Sequence, residues 1–396
     1  MNRPSLVLED LPVEVVWTIL REKVDPVDRM ACKGVSKVWR RVLTAKRKAE
    51  KGRDGGGGSG EVALVYMAEV AERGHLGVLK WARANGCPWD ERTCARAARG
   101  GHMEVLKWAR ANGCPWDWRA CADATRHGHL KVFKWLRAGG CPCDDNWTCA
   151  DAAAGGHMEM LRWAKANGFA CNAWTCAWAA KGGHLDVLQW LRASGCPWDV
   201  RTCGYAADAG HLDVLRWARA NGCPWDEWTC AWAARGGRLG TLVWARTNGC
   251  PWDRSTCDSA ASKGHMEVLV WARANGCPWS EKACSSAARH GHLDVLKWAR
   301  ANGCPWDEMT CSRAAEGGHL EVLKWARTSG CPWDEKTCAH AARGGHMEVL
   351  QWARANGCPW DERACTHALS GDRIDADEQG STSDCLSLIQ GPDRSD

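Results

Sequence analysis

The chain has 396 residues, a formal net charge of +5 and 25% charged residues, a balance too weak to imply a nucleic-acid partner by itself. No apolar run approaches the length of a membrane span, and the opening MNRPSLVLEDLP lacks the apolar core of a signal peptide. The expectation is therefore a soluble protein of the cytoplasm or nucleus, with no membrane partner.

Residues 1–54 carry three short helical stretches. Val15, Val16, Ile19 and Leu20 follow helical spacing. Asp25-Pro26 opens a second stretch with Asp28, Arg29 and Met30, and Val35, Val38, Trp39 and Val42 mark a third. A module of about 40 residues buries only a modest core, so it is expected to need a partner. The order Leu11-Pro12-x-Glu14-Val15-Val16-x-x-Ile19-Leu20, then Val24-Asp25-Pro26-x-Asp28-Arg29-Met30, then Val35-Ser36-Lys37-x-Trp39-Arg40-Arg41 resembles an F-box. The resemblance implies docking onto a Skp-type adaptor of a cullin–RING ubiquitin ligase through Leu11, Pro12, Val15, Ile19, Leu20 and Pro26. Cys32-Lys33-Gly34 departs mildly from the pattern. The alternative is a helical cap that only seals the end of the array that follows.

Basic residues gather over 40–53, which reads as a solvated helix end or a nuclear address. Residues 55–60, Gly55-Gly56-Gly57-Gly58-Ser59-Gly60, read as a flexible linker and the clearest domain boundary. EVALVYMAEVAER, residues 61–73, supplies the first helix of the first repeat.

From there to residue 369 one sentence is written eleven times, and residues 317–344, GGHLEVLKWARTSGCPWDEKTCAHAARG, show it. The beat is kept by His75, His102, His129, His157, His184, His211, Arg238, His265, His292, His319 and His346. The step is 27 residues, except 28 where one residue is added within Cys141-Pro142-Cys143-Asp144-Asp145-Asn146. A fixed period of this size means stacked repeats, because one unit cannot bury a core alone. Asp334 is placed to cap a short first helix of Ala and Cys, and Gly344-Gly345 ends it. The second helix presents Leu320, Val322, Leu323, Trp325 and Ala326 as an apolar face, with Trp325 and its equivalents expected in the core. Gly330 supplies a left-handed residue and Pro332 bars continuation.

The run Ala341-Ala342-Arg343-Gly344-Gly345-His346-Met347-Glu348-Val349-Leu350 resembles the second half of an ankyrin repeat, over residues 61–369. The step is shorter than the usual 33 of that family, so the projecting hairpin is expected to be trimmed. Thr337-Cys338-Ala339-His340 stands where that family has Thr-Pro-Leu-His. The fold class expected is all-α, an α-solenoid of helix-pair repeats behind a three-helix module. Residues 370–396 are acidic, polar and aperiodic, and read as disordered.

The repeat explains the unusual inventory of 28 Trp against two Phe and two Tyr. It also explains most of the 25 Cys, which fall in one column before the loop proline and another seven residues later. Cys-x6-Cys is not a zinc spacing, and a disulfide ladder would imply secretion. The cysteines are therefore read as small buried apolar residues, reduced and metal-free. The histidine column reads as turn-stabilising, since no copy is singled out.

Copies differ most at two first-helix columns, two residues before and two after the cysteine. Their i, i+4 spacing points each pair from one face. In the central copies these columns hold Trp147, Trp174 with Trp178, Arg201 with Tyr205, and Trp228 with Trp232, residue types favoured at binding hot spots. In the ankyrin family the first helix lines the concave side, so this stripe is the expected partner site. No nucleophile, base or metal cluster breaks the symmetry, so neither enzyme activity nor a cofactor is expected. The function expected is a substrate receptor of a ubiquitin ligase holding a protein target. An ankyrin-type scaffold without a ligase role is the alternative. A zinc or redox protein and a binder of single-stranded nucleic acid are weaker readings.

Overall fold

The computed structural model describes residues 57–84 and 86–360. The readings placed on residues 1–54, on the end of the repeat array at 361–369 and on the tail 370–396 lie outside them. Among the described residues there are 22 helices and no strand, arranged as eleven helix pairs. No described helix is long and apolar enough to cross a membrane.

The helices fall into two units that part between Pro197 and Trp198. In the first unit, the leading helices Gly57–Glu72, Glu91–Arg99, Trp118–Arg126, Asp145–Ala154 and Ala173–Gly182 stack one on the next. In the second, Val200–Ala209, Glu227–Arg235, Arg254–Lys263, Glu281–Arg289, Glu308–Glu316 and Glu335–Arg343 do the same. Each leading helix also packs on the second helix of its own pair. Small residues permit this close stacking: Cys94, Ala95, Ala97 and Ala98 are all buried.

Local sequence sets the helix ends as expected. Asp90, Asp117, Asp199 and Asp253 are extended N-caps, accepting the backbone N–H two residues on at 2.9–3.0 Å. Asn172 forms a capping box with Thr175. Asp334 holds the N-cap position without a cap bond and instead lies 3.6 Å from the Lys336 ammonium. At the other end of the helix, Gly101 takes φ +75°, which an L side chain rarely adopts. A Cβ on Gly100 would stand 2.2 Å from the Glu72 carbonyl oxygen, so a side chain there would force a local shift.

Three expectations need correction. The first helix begins at Gly57, inside the stretch 55–60 read as a linker. Each residue added to a formed helix gains a backbone bond, so the strong helix former EVALVYMAEVAER extends through glycines that resist it by only about 1 kcal/mol each. Second, Trp325, Trp217 and their equivalents are half-buried, whereas Val214, Leu215 and Ala218 are fully enclosed. At about 100° per residue, Trp217 lies roughly 60° round the helix from Val214, on the flank away from Leu215. There it meets the loop indole of Trp198 edge-on at 5.9 Å.

Third, the cysteines are not all reduced. The first-helix thiols of Cys203, Cys230 and Cys257 hydrogen-bond with loop thiols twenty residues later, Cys223, Cys250 and Cys277. Cys121 and Cys143 form a disulfide. Nineteen of the twenty free cysteines described are buried, in keeping with the reading of cysteine as a small core residue.

The histidines stabilise a turn, but one belonging to the previous repeat. Nε2 of His102, His129 and His157 lies 2.9 Å from the carbonyl oxygens of Glu72, Arg99 and Arg126. Donating Nε2–H there satisfies a carbonyl that the end of the helix leaves without an intrahelical partner. Ion pairs join successive leading helices beside these clamps, Arg126 with Asp151 at 2.5 Å and Arg235 with Asp208 at 3.1 Å.

Candidate functional site

The variable stripe lies on the leading helices. In the first unit, Trp147 is 43% exposed on Asp145–Ala154. Trp174 and Trp178 are half-buried on Ala173–Gly182. The stacking of these helices brings the Trp147 and Trp174 rings to 6.0 Å, tilted by 45°. The Lys181 ammonium stands 4.8 Å from the Trp178 ring, a cation–π contact.

In the second unit, Arg201 and Tyr205 are half-buried on Val200–Ala209. Trp228, 51% exposed, and half-buried Trp232 share Glu227–Arg235. The Tyr205 and Trp232 rings lie 5.1 Å apart, tilted by 31°. Trp232 also covers Gly204, where an added Cβ would come within 2.0 Å of the indole. Glycine at 204, where most copies have alanine, thus makes room for the ring. Trp232 is therefore partly a packing residue. Arg201 donates Nε–H to Asp199 at 2.9 Å, so its guanidinium is partly engaged by the helix cap.

Sequence reasoning passed over Trp118, which at 57% exposure leads the large apolar side chains left in solvent. It opens the helix Trp118–Arg126, at a position held by Glu91, Glu227 and Glu335 in other copies. Comparing copies at that third column would have found it.

Sequence reasoning also missed the order among the remaining tryptophans. The Arg110, Arg219 and Arg327 guanidiniums lie 3.9–4.0 Å over the loop indoles of Trp116, Trp225 and Trp333. Arg110 also donates to the Cys114 carbonyl at 2.6 Å. The loop indoles from Trp89 to Trp333 then meet the second-helix indole of the next repeat edge-on, as Trp116 meets Trp135 at 5.8 Å and Trp225 meets Trp244 at 6.0 Å. This chain of contacts fixes the loops and accounts for the two tryptophan columns.

Residues 149–192 match the family model for ankyrin repeats (many copies). None of the curated proteins compared matches the chain. Among solved structures, the human ASB11 ankyrin repeat domain is similar at 18% identity and a TM-score of 0.37, over 48% of this chain and 98% of that one. The pentatricopeptide repeat protein PPR10, solved in complex with an 18-nt psaJ RNA element, aligns at 13% identity and a TM-score of 0.26. That alignment covers 97% of this chain and 66% of PPR10. Over residues 149–192 the helix pairs resemble ankyrin repeats, and the other pairs are built on the same 27-residue pattern.

Proposed function

We propose that the chain is a non-enzymatic adaptor, the substrate receptor of a cullin–RING ubiquitin ligase. Its N-terminal module engages a Skp-type adaptor through Leu11, Pro12, Val15, Ile19, Leu20 and Pro26. A protein target is held by first-helix side chains: Trp147, Trp174 and Trp178 in the first unit, together with Trp118, and Arg201, Tyr205, Trp228 and Trp232 in the second. The compartment is the cytoplasm or nucleus, where such ligases work. The observation that carries the binding role is the exposure of Trp147 and Trp228 at positions that vary between copies. Large indoles left partly in water are what a hot spot offers a partner. The ligase role is supported by the three anchors of the F-box resemblance.

The test uses purified full chain and a recombinant Skp-type adaptor in size-exclusion chromatography. The parent should co-elute with the adaptor. Leu11→Ala combined with Pro12→Ala should abolish co-elution and leave the thermal melt of the repeats unchanged. An adaptor that never binds the parent, or that binds the double variant equally, removes the ligase role. The ankyrin match would then support the second reading, a scaffold without one.

A further inference from the structure

In nine of the loops the variable residue two places after the cysteine column is Trp; in two successive loops it is Cys143 and Cys171. We infer that Cys171 is an oxidisable thiol that forms a disulfide with Cys149, making this pair a redox modification site.

The neighbouring repeat supplies the geometry. Cys143 is bonded to Cys121, 22 residues earlier on the preceding leading helix, with Cα atoms 5.8 Å apart. Cys149 occupies the same column as Cys121, and Cys171 follows it by the same 22 residues. Cys149 also lacks its usual loop partner. Phe169 stands in that column and is buried, its ring 6.4 Å from Phe133 and 5.7 Å from Trp163. The Cys149 thiol turns instead to the Cys171 sulfur, to which it hydrogen-bonds.

Access and ionisation single out Cys171. Among the described free cysteines it alone is partly exposed. Its sulfur accepts a hydrogen bond from the Cys149 thiol, which holds it below the ordinary thiol range, while the Cys196 thiol donates to the Asn172 carbonyl at 3.3 Å. Partial burial opposes this, and the nearby Lys165 ammonium adds to it. The bond to Cys171 and burial push Cys149 the other way. The thiolate is the reactive form, so the exposed sulfur is also the nucleophile.

With hydrogen peroxide as oxidant, the Cys171 thiolate attacks one peroxide oxygen and the O–O bond breaks. Cys171 becomes a sulfenic acid, and the departing hydroxide takes a proton to leave as water. The Cys149 sulfur then attacks the Cys171 sulfur, the S–O bond breaks, and a second water leaves. Two thiols and one peroxide give one disulfide and two waters, the sulfurs losing the two electrons that the peroxide gains. The new bond would tie helix Asp145–Ala154, which carries Trp147, to the residue just before the capping Asn172 of helix Ala173–Gly182, which carries Trp174.

The test treats the full chain, purified without reductant, with stoichiometric peroxide. Free thiols are then counted and linkages mapped by fragment-resolved peptide mass spectrometry. The expected result is the loss of two thiols and a Cys149–Cys171 linkage beside Cys121–Cys143. Cys171→Ser should prevent the loss. Cys171→Trp, which restores the residue of the other loops, should prevent it too and guards against a variant that fails to fold. Unreacted thiols, a Cys171–Cys196 linkage, or the same loss in both variants would overturn the inference.

Discussion

Asp258 follows Cys257 on its leading helix, at a position where Ala95, Ala150, Ala177 and Ala231 are buried. Its Oδ2 accepts from the Ser280 hydroxyl at 3.5 Å, while Oδ1 is enclosed without a hydrogen bond. Burial pushes the carboxyl up to about 6, against the pull of Lys282 and Arg254. The folded chain thus holds this proton more tightly than the unfolded chain, whose carboxyl titrates near 3.8. Its contribution is fully present below about pH 4 and is lost as pH rises through about 6. Asp258→Asn should therefore raise stability at pH 7 by about 1–2 kcal/mol, after allowance for solvent screening, and change it little at pH 3.5. Urea unfolding at the two pH values checks this. An equal gain at both would mean the charge is not the cause.

At the scale of the element, the histidine clamp has a natural exception. Arg238 reaches the Asp208 carbonyl with Nε at 3.4 Å, longer than the 2.9 Å of His102 or His129. A flexible guanidinium loses more rotamer freedom than an imidazole to make a weaker bond. Arg238→His should stabilise the second unit by about 0.5–1.5 kcal/mol, read as a higher urea midpoint at constant slope. A lower midpoint would show that the arginine is the better clamp. The caps of these helices were legible because a cap is local, an Asp and the two or three residues after it. The clamp partner was not, because His102 reaches Glu72 thirty residues back.

At the scale of the molecule, stacked units hold each other, so surface positions on the leading helices are free to differ while the stacking positions are not. Trp147→Ala and Trp228→Ala should each weaken target capture by tenfold or more, since a hot-spot indole carries about 2 kcal/mol. Stability should shift by less than about 1 kcal/mol, because Trp147 and Trp228 are 43% and 51% exposed. Trp232→Ala should reduce both, since that ring also covers Gly204 and meets Tyr205. The readout is the amount of target recovered on immobilised parent and variant chains, quantified by mass spectrometry, beside a thermal melt of each. Recovery unchanged in Trp147→Ala and Trp228→Ala would move the partner site off this stripe.

The period, the helix pair, the capping aspartates and the left-handed glycines were all determined by the sequence, because each rests on contacts within one 27-residue unit. The variable columns were legible too, since comparing copies needs no coordinates. The tertiary structure decided what happens between units. It sent the second-helix tryptophans to the flank beside the loop indoles. It paired first-helix thiols with cysteines twenty residues on, bonded Cys121 to Cys143, and left Trp118 in solvent. The physical reason is the repeat itself. When each unit reads almost like the next, the sequence does not say which neighbour a side chain will meet, and only the stacking of one unit on another selects it.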